Sequence, residues 1–306
     1  MKKYFIIFTM AVVAISTISC AEESQKDEVV LEAYDSEMYA NYVEMMSIVE
    51  EDEAFAELNE QLLLLAQEYP TEIVCPRASV RVWLRSIVLG DIIGACIGGG
   101  TTWNPVSIVL GAVFGSVKAA LIVARQENGE RYRPRRQSLD PNVNTNTIQG
   151  SAEYSGYIHN IIVNDTFDEL GAYVYQYNDD TIVTCIADKA YERMHISATE
   201  YLSFITNYDQ RNRITDLINL YDSVPSIQLM DMIVEQYPSR RNEIESVSIF
   251  CNQYTGYEYQ ATKDSYTQAY LNTVRQSNIS TESKNYIISV VQIANYSDKM
   301  WEVDEN

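Results

Sequence analysis

The sequence predicts a mainly α-helical protein, an irregular helical bundle built round a glycine-rich apolar helical hairpin. Three observations carry this. Apolar residues recur at helical spacing over most of the chain, as in Phe55, Leu58, Leu62 and Leu65 or Tyr286, Ile287, Val290, Val291 and Ala294. Short runs rich in β-branched and aromatic residues without a helical stripe are confined to Tyr173–Tyr177 and Thr181–Ile186, the only strands expected. Two apolar arms flank a Gly98–Pro105 turn and carry glycines four residues apart: Gly90, Gly94 and Gly98, then Gly111 and Gly115. The composition is globular, 46% hydrophobic and 21% charged, and 306 residues suffice for a sizeable core.

The first element is an address. Lys2 and Lys3 precede an uncharged apolar run, Tyr4–Ile15, and the short residues Ser16 to Ser19 lead to Cys20. This is the layout of a secretory signal over residues 1–19, too short for a stable span. Its end resembles the lipobox of bacterial lipoproteins, with Thr17 where the commonest form carries Leu. The resemblance implies that Cys20 is lipidated and becomes the mature N-terminus, so the membrane is a partner through its acyl chains. Residues 20–28 form a polar tether, similar to those of Bacteroidota lipoproteins. There a Lys followed by acidic residues near the lipidated cysteine marks export to the outer face of the outer membrane, and Lys26-Asp27-Glu28 fits that pattern. A linker must stay solvated in any case, so the periplasmic and surface faces of the outer membrane both remain open. The implied location is the bacterial cell envelope.

Residues 29–124 hold acidic helices followed by the hairpin. Between Glu22 and Glu60 fourteen Asp and Glu face a single Lys26, while Tyr39, Tyr42, Val43, Met46 and Val49 keep helical spacing. One or two amphipathic helices with a solvated acidic face are expected, closed by Pro70. In the hairpin, an antiparallel fold about the turn sets Gly90 near Val113 and Gly94 near Val109, small against large. Asp91 interrupts the first arm, and Lys118 leaves the second only Pro105–Val117 uncharged, roughly 20 Å at about 1.5 Å per residue against a hydrocarbon core of about 30 Å. Burial in protein is therefore favoured over a membrane span. Residues 125–150 read as a basic and polar linker, with Arg125, Arg131, Arg133, Arg135 and Arg136 offering a docking surface for the acidic helices or for anionic headgroups.

Residues 151–306 form a helical C-terminal region. Ser197–Glu200 is a capping box, followed by Tyr201, Phe204, Ile205 and Tyr208. The stripe continues through Ile214, Leu217, Ile218 and Tyr221, then Ile227–Tyr237 after Pro225. The 23 tyrosines suit a partly wet core or an interaction face.

Chemistry is sparse. A net charge of −21 argues against a nucleic-acid partner, since phosphate binding needs clustered Lys and Arg. Two histidines, His159 and His195, without ligand spacing give no metal site, and the glycine run lacks the Lys-Ser/Thr of a phosphate loop, so no cofactor is expected. Cys96 and Cys185 lie in apolar runs and read as small buried hydrophobes. No CxxC occurs, and the disulfide status of Cys75, Cys96, Cys185 and Cys251 stays open. Gly156-Tyr157-Ile158-His159-Asn160 resembles a Gly-x-x-His-Asn motif of uncharacterised bacterial envelope proteins, which brings no established activity. Ile158, Ile161 and Ile162 point one helix face inward with His159 and Asn160 beside it. His159 is then either a partly buried histidine capping a neighbouring helix C-terminus or a general base oriented by Asn160. The structural role is preferred, because no nucleophile stands in a recognisable motif. The expected function is a lipid-anchored, non-enzymatic interaction or structural module with an envelope protein as partner. The alternatives are a membrane-active protein using the hairpin and an envelope hydrolase centred on His159.

Overall fold

The computed structural model describes residues 49–70, 79–100, 104–126, 131–134, 151–221, 223–257 and 259–304. The chain divides after residue 50, and the helical bundle is the unit formed by residues 51–306. The signal, Cys20, the tether, Cys75 and residues 135–150 lie outside the described residues. Eleven α-helices occur among those described, and the fold is a mainly α helical bundle.

Helix α1, residues 51–68, buries Phe55, Leu58 and Leu62 and leaves Leu63 and Leu64 exposed, the stripe expected from the spacing. The hairpin is α2 (Ser79–Gly98) and α3 (Pro105–Gln126). Asn104 starts the second arm, its Oδ1 accepting from the Val106 amide at 2.9 Å, with Pro105 in the first helical position. After β1 (Arg131–Pro134) and one 3₁₀ turn come α4 (Ser155–Leu170) and α5 (Asp179–Met194), with a second 3₁₀ segment, Gly171–Gln176, between them. The chain continues through α6 (Ala198–Thr206), α7 (Tyr208–Asn219), α8 (Ser226–Gln236) and α9 (Arg241–Tyr254). It ends with α10 (Gln260–Gln276), α11 (Thr281–Ser297) and β2 (Trp301–Asp304).

The hairpin is the centre of the bundle. Helix α2 packs on α7, α8, α9 and α11, and α3 on α4, α5, α6, α7 and α11. From Ser86 to Gly100 and from Ile108 to Leu121 every residue is buried. A helix apolar on all sides must find partners on all sides, and here the remaining helices supply them.

The hairpin forms as expected, but its register differs by two residues. Gly90 faces Gly115, Gly94 faces Gly111 and Gly98 faces Ser107, so small meets small, and the expected pairing with Val113 and Val109 does not occur. A Cβ on Gly94 or Gly111 would overlap the carbonyl oxygen of the opposite glycine. The arms thus touch backbone to backbone, a separation at which Cα–H···O contacts form, and the large side chains are left for the surrounding helices.

Neither expected strand exists. Tyr173–Tyr177 falls largely in the 3₁₀ segment, and Thr181–Ile186 lies in α5. Asn178 caps α5 by accepting from the Thr181 amide at 2.9 Å, and Ile182, Val183, Ile186, Ala187, Ala190 and Met194 then share its buried face. That stripe, formed with residues beyond the short window, overrides β-propensity. The strands form instead inside the stretch read as a linker and after the last helix. They pair antiparallel with Arg131 opposite Asp304 and Arg133 opposite Glu302. Two arginines of the stretch read as a linker are therefore in register with acidic residues of the C-terminal strand.

Candidate functional site

Helix α4 brings the Gly-x-x-His-Asn residues into the centre of the bundle. Ser155 to Val163 are all buried, because α4 is sandwiched between α3, α5 and α11. Gly156 permits this: a Cβ there would overlap the Gln292 carbonyl of α11. One residue earlier, Ser155 Oγ donates to Ser289 Oγ of α11 at 3.0 Å.

One turn on from Gly156, His159 reaches the hairpin. Its Nε2 lies 3.1 Å from Ser116 Oγ on α3 and 3.2 Å from Asp91 Oδ1 on α2. Ser116 Oγ donates to Asp91 Oδ1. The other ring nitrogen, Nδ1, lies 3.0 Å from Asn160 Oδ1, and Asn160 Nδ2 donates to the Tyr296 carbonyl of α11 at 3.0 Å. Asp91, Ser116, His159 and Asn160 all have no exposed surface.

Hydrogen-bond capacity assigns the protons. The Asn160 amide spends an N–H on a carbonyl that can only accept, so its Oδ1 faces His159 and Nδ1 carries a hydrogen. The Ser116 hydroxyl hydrogen goes to Asp91. Asp91 Oδ1 and Ser116 Oγ thus share the Nε2 edge of the ring, while Nδ1 is turned to Asn160. Asp91 Oδ2 has no hydrogen-bond partner among the described residues.

A serine, a histidine and an aspartate in contact suggest a hydrolase, but the connections are wrong for one. In a nucleophilic triad serine and carboxylate occupy opposite ring nitrogens, so the base can take the serine proton. Here both occupy Nε2 and the serine proton is held by the carboxylate. Two grooves among the described residues open elsewhere. One is lined by Glu169, Asn178, Asp180, Asp188, Lys189 and Glu192, the other by Arg213, Met232, Glu235 and Gln236. His159 is fully rather than partly buried. It pairs with a carboxylate and a hydroxyl instead of capping a helix.

The second charge of the hairpin is handled at its edge. Lys118 Nζ lies 2.8 and 3.0 Å from the two carboxylate oxygens of Asp179, in the first turn of α5. Cys96, Cys185 and Cys251 are free and buried, Cys96 and Cys185 as expected. Desolvation pushes the thiols of Cys96 and Cys251 up to about 12 and that of Cys185 to about 11. Among the described residues no group of three or more His, Cys, Asp or Glu could hold a metal ion. Compared with protein families, curated proteins and solved structures, the chain matches nothing.

Of the residues singled out in the sequence, the structure brings His159 and Asn160 together with Asp91, and the five hairpin glycines with one another. Sequence reasoning missed Ser116. The available signal was a carboxylate alone in an apolar helix, which demands a partner, one arm away from a serine flanked by apolar residues.

Proposed function

We propose that this protein is an envelope lipoprotein, anchored through acyl chains on Cys20, whose helical domain serves as a non-enzymatic interaction or structural module. The observation that carries the reading is the fate of the one constellation able to do chemistry. Asp91, Ser116, His159 and Asn160 are enclosed, bonded to one another and cross-connect four helices. Polar groups spent in this way specify a core and leave nothing for a substrate. The outer surface of α5–α7 presents Tyr191, Leu202 and Tyr208, each more than half exposed, and tyrosine is a residue type enriched in contact surfaces. The test is twofold. Mature protein should partition with membranes only when Cys20 is present, and no hydrolytic turnover that depends on His159 should be found against ester, amide and glycoside substrates. A turnover abolished by a conservatively substituted His159 in a folded variant overturns the reading.

A second reading, a membrane-active protein using the hairpin, is favoured by one observation. Pro105–Ala124 is a 20-residue segment with mean hydropathy 2.2, long and apolar enough to cross a membrane by length and composition, although 83% of it is buried inside the fold. The sequence-based estimate of about 20 Å stopped at Lys118. That residue stands close enough to the helix end for its ammonium to reach an interface by snorkelling.

A further inference from the structure

We propose that the groove between the end of α4 and the outward face of α5 docks an extended, lysine- or arginine-bearing segment of a partner protein. The proposal rests on the interaction-module reading and names its class of partner.

Charge carries it first. The groove has a volume of about 760 Å³, and Glu169, Asp180, Asp188 and Glu192 bring four carboxylates to it against the one ammonium of Lys189. That ammonium is held loosely, 3.5 Å from Glu169 and 3.4 Å from Glu192. Ion pairs such as Arg193–Asp165 and Lys263–Asp298 close to 2.6 and 2.7 Å. The side chains of Asp180, Glu169 and Glu192 stay 70%, 63% and 57% exposed. An arriving guanidinium or ammonium therefore meets carboxylates in excess and a resident cation that it can displace.

Two features separate the groove from an acidic face that is merely solvated. Cys185, only 8% exposed, lines it with a free thiol whose weak hydrogen-bonding capacity is left for an occupant. Tyr191 also lines it, with 56% of its surface exposed, and offers a flat apolar wall with a polar end.

Spacing then selects an extended chain. Asp180, Thr184, Asp188 and Glu192 follow one another at four-residue intervals on α5, about 6 Å apart. Same-side side chains of an extended peptide recur about 6.6 Å apart, so roughly seven residues span the row with basic side chains facing its carboxylates. Thr184 Oγ1 donates to the Asp180 carbonyl at 2.8 Å, which leaves its lone pairs to accept from the peptide.

The experiment is calorimetric titration of the full-length chain with an acetylated heptapeptide alternating Lys and Ser. Wild type should bind it, and the counterpart with Glu in place of Lys should not bind. Asp180→Asn/Glu192→Gln, two substitutions at exposed side chains, should weaken binding about tenfold. Glu53→Gln/Glu60→Gln, which removes the same charge from exposed positions on α1, should leave it unchanged. Lys189→Gln removes the resident competitor and should tighten it. Absence of binding to wild type, or equal weakening in both double variants, overturns the proposal, since the second outcome means attraction to the net charge of the whole chain. Spermine binding as tightly as the peptide overturns it too, by assigning the groove to small polycations. Each of these failures removes the basic partner and leaves the interaction-module reading standing, which falls instead on a turnover that depends on His159.

Discussion

At the residue scale, Asp91 sets the terms. A carboxyl group with no exposed surface is tolerable only with polar partners, and Ser116 and His159 supply them. His159→Ala should therefore cost about 3–5 kcal/mol, because it empties a filled site and takes a polar partner from Asp91. Asp91→Asn/His159→Gln should cost much less than the sum of its single substitutions, and urea midpoints of the four species would measure the coupling. Additive costs would mean that the two residues do not pair. Asp91 was legible in the sequence as an anomaly inside an apolar arm. Its partner was not, because nothing local to either residue records that α4 crosses the hairpin at that level. The buried thiols and tyrosines predict an alkaline weakness. Burial raises Cys96 and Cys251 from near 9 to about 12, and Tyr254, Tyr270 and Tyr286 well above their ordinary value. Between about pH 9 and 12 the unfolded chain therefore binds fewer protons than the folded one. Stability is full below pH 9 and falls as pH rises, by about 1.4 kcal/mol per unit for each thiol. Urea midpoints at pH 8 and pH 10 should differ, and the slope should lessen in Cys251→Ala. His195 ends α5 at φ 51°, a left-handed position that favours glycine. His195→Gly should raise the melting temperature through a gain of up to about 1 kcal/mol.

At the scale of elements, the hairpin shows how much pattern can say and where it stops. Glycines four apart on two adjacent apolar arms announced a close helix pair, since each glycine costs about 1 kcal/mol against alanine and needs a return. The register was not legible, because the turn length decides it and small-on-large packing is equally periodic. With the arms in backbone contact, even Gly94→Ala should destabilise. The added Cβ meets the Gly111 carbonyl, and relieving it means separating the arms at about 1–3 kcal/mol, more than the helix propensity gained. A Gly94→Ala variant that melts higher than wild type would refute the contact. Thr181–Ile186 teaches the converse. Read over six residues it is a strand, while read with the Asn178 cap and the stripe to Met194 it is a helix. The β1–β2 ladder escaped the sequence because each strand is four residues long and its partner lies at the far end of the chain.

At the scale of the whole molecule, the helical class was legible throughout, while the order of layers was not. Nothing in a stripe says which face of which helix it meets. The acyl anchor is the prediction that belongs here: Cys20→Ala should move the protein out of the membrane fraction. Mass spectrometry of the mature wild-type N-terminus should find more than one acyl chain, because a single chain anchors only marginally. Cleavage elsewhere without acylation would remove the anchor from the account. The central position of the hairpin also has a consequence in time. Its arms are synthesised before α4, α5 and α11, which complete the enclosure of Asp91 and shield Lys118 and the apolar outer faces. At about 5–20 residues per second, the most apolar part of the chain waits on the order of ten seconds or more for its surroundings. During that interval it competes for any other apolar surface within reach, so the yield of folded protein depends on what stands beside the nascent chain as much as on the stability of the finished bundle.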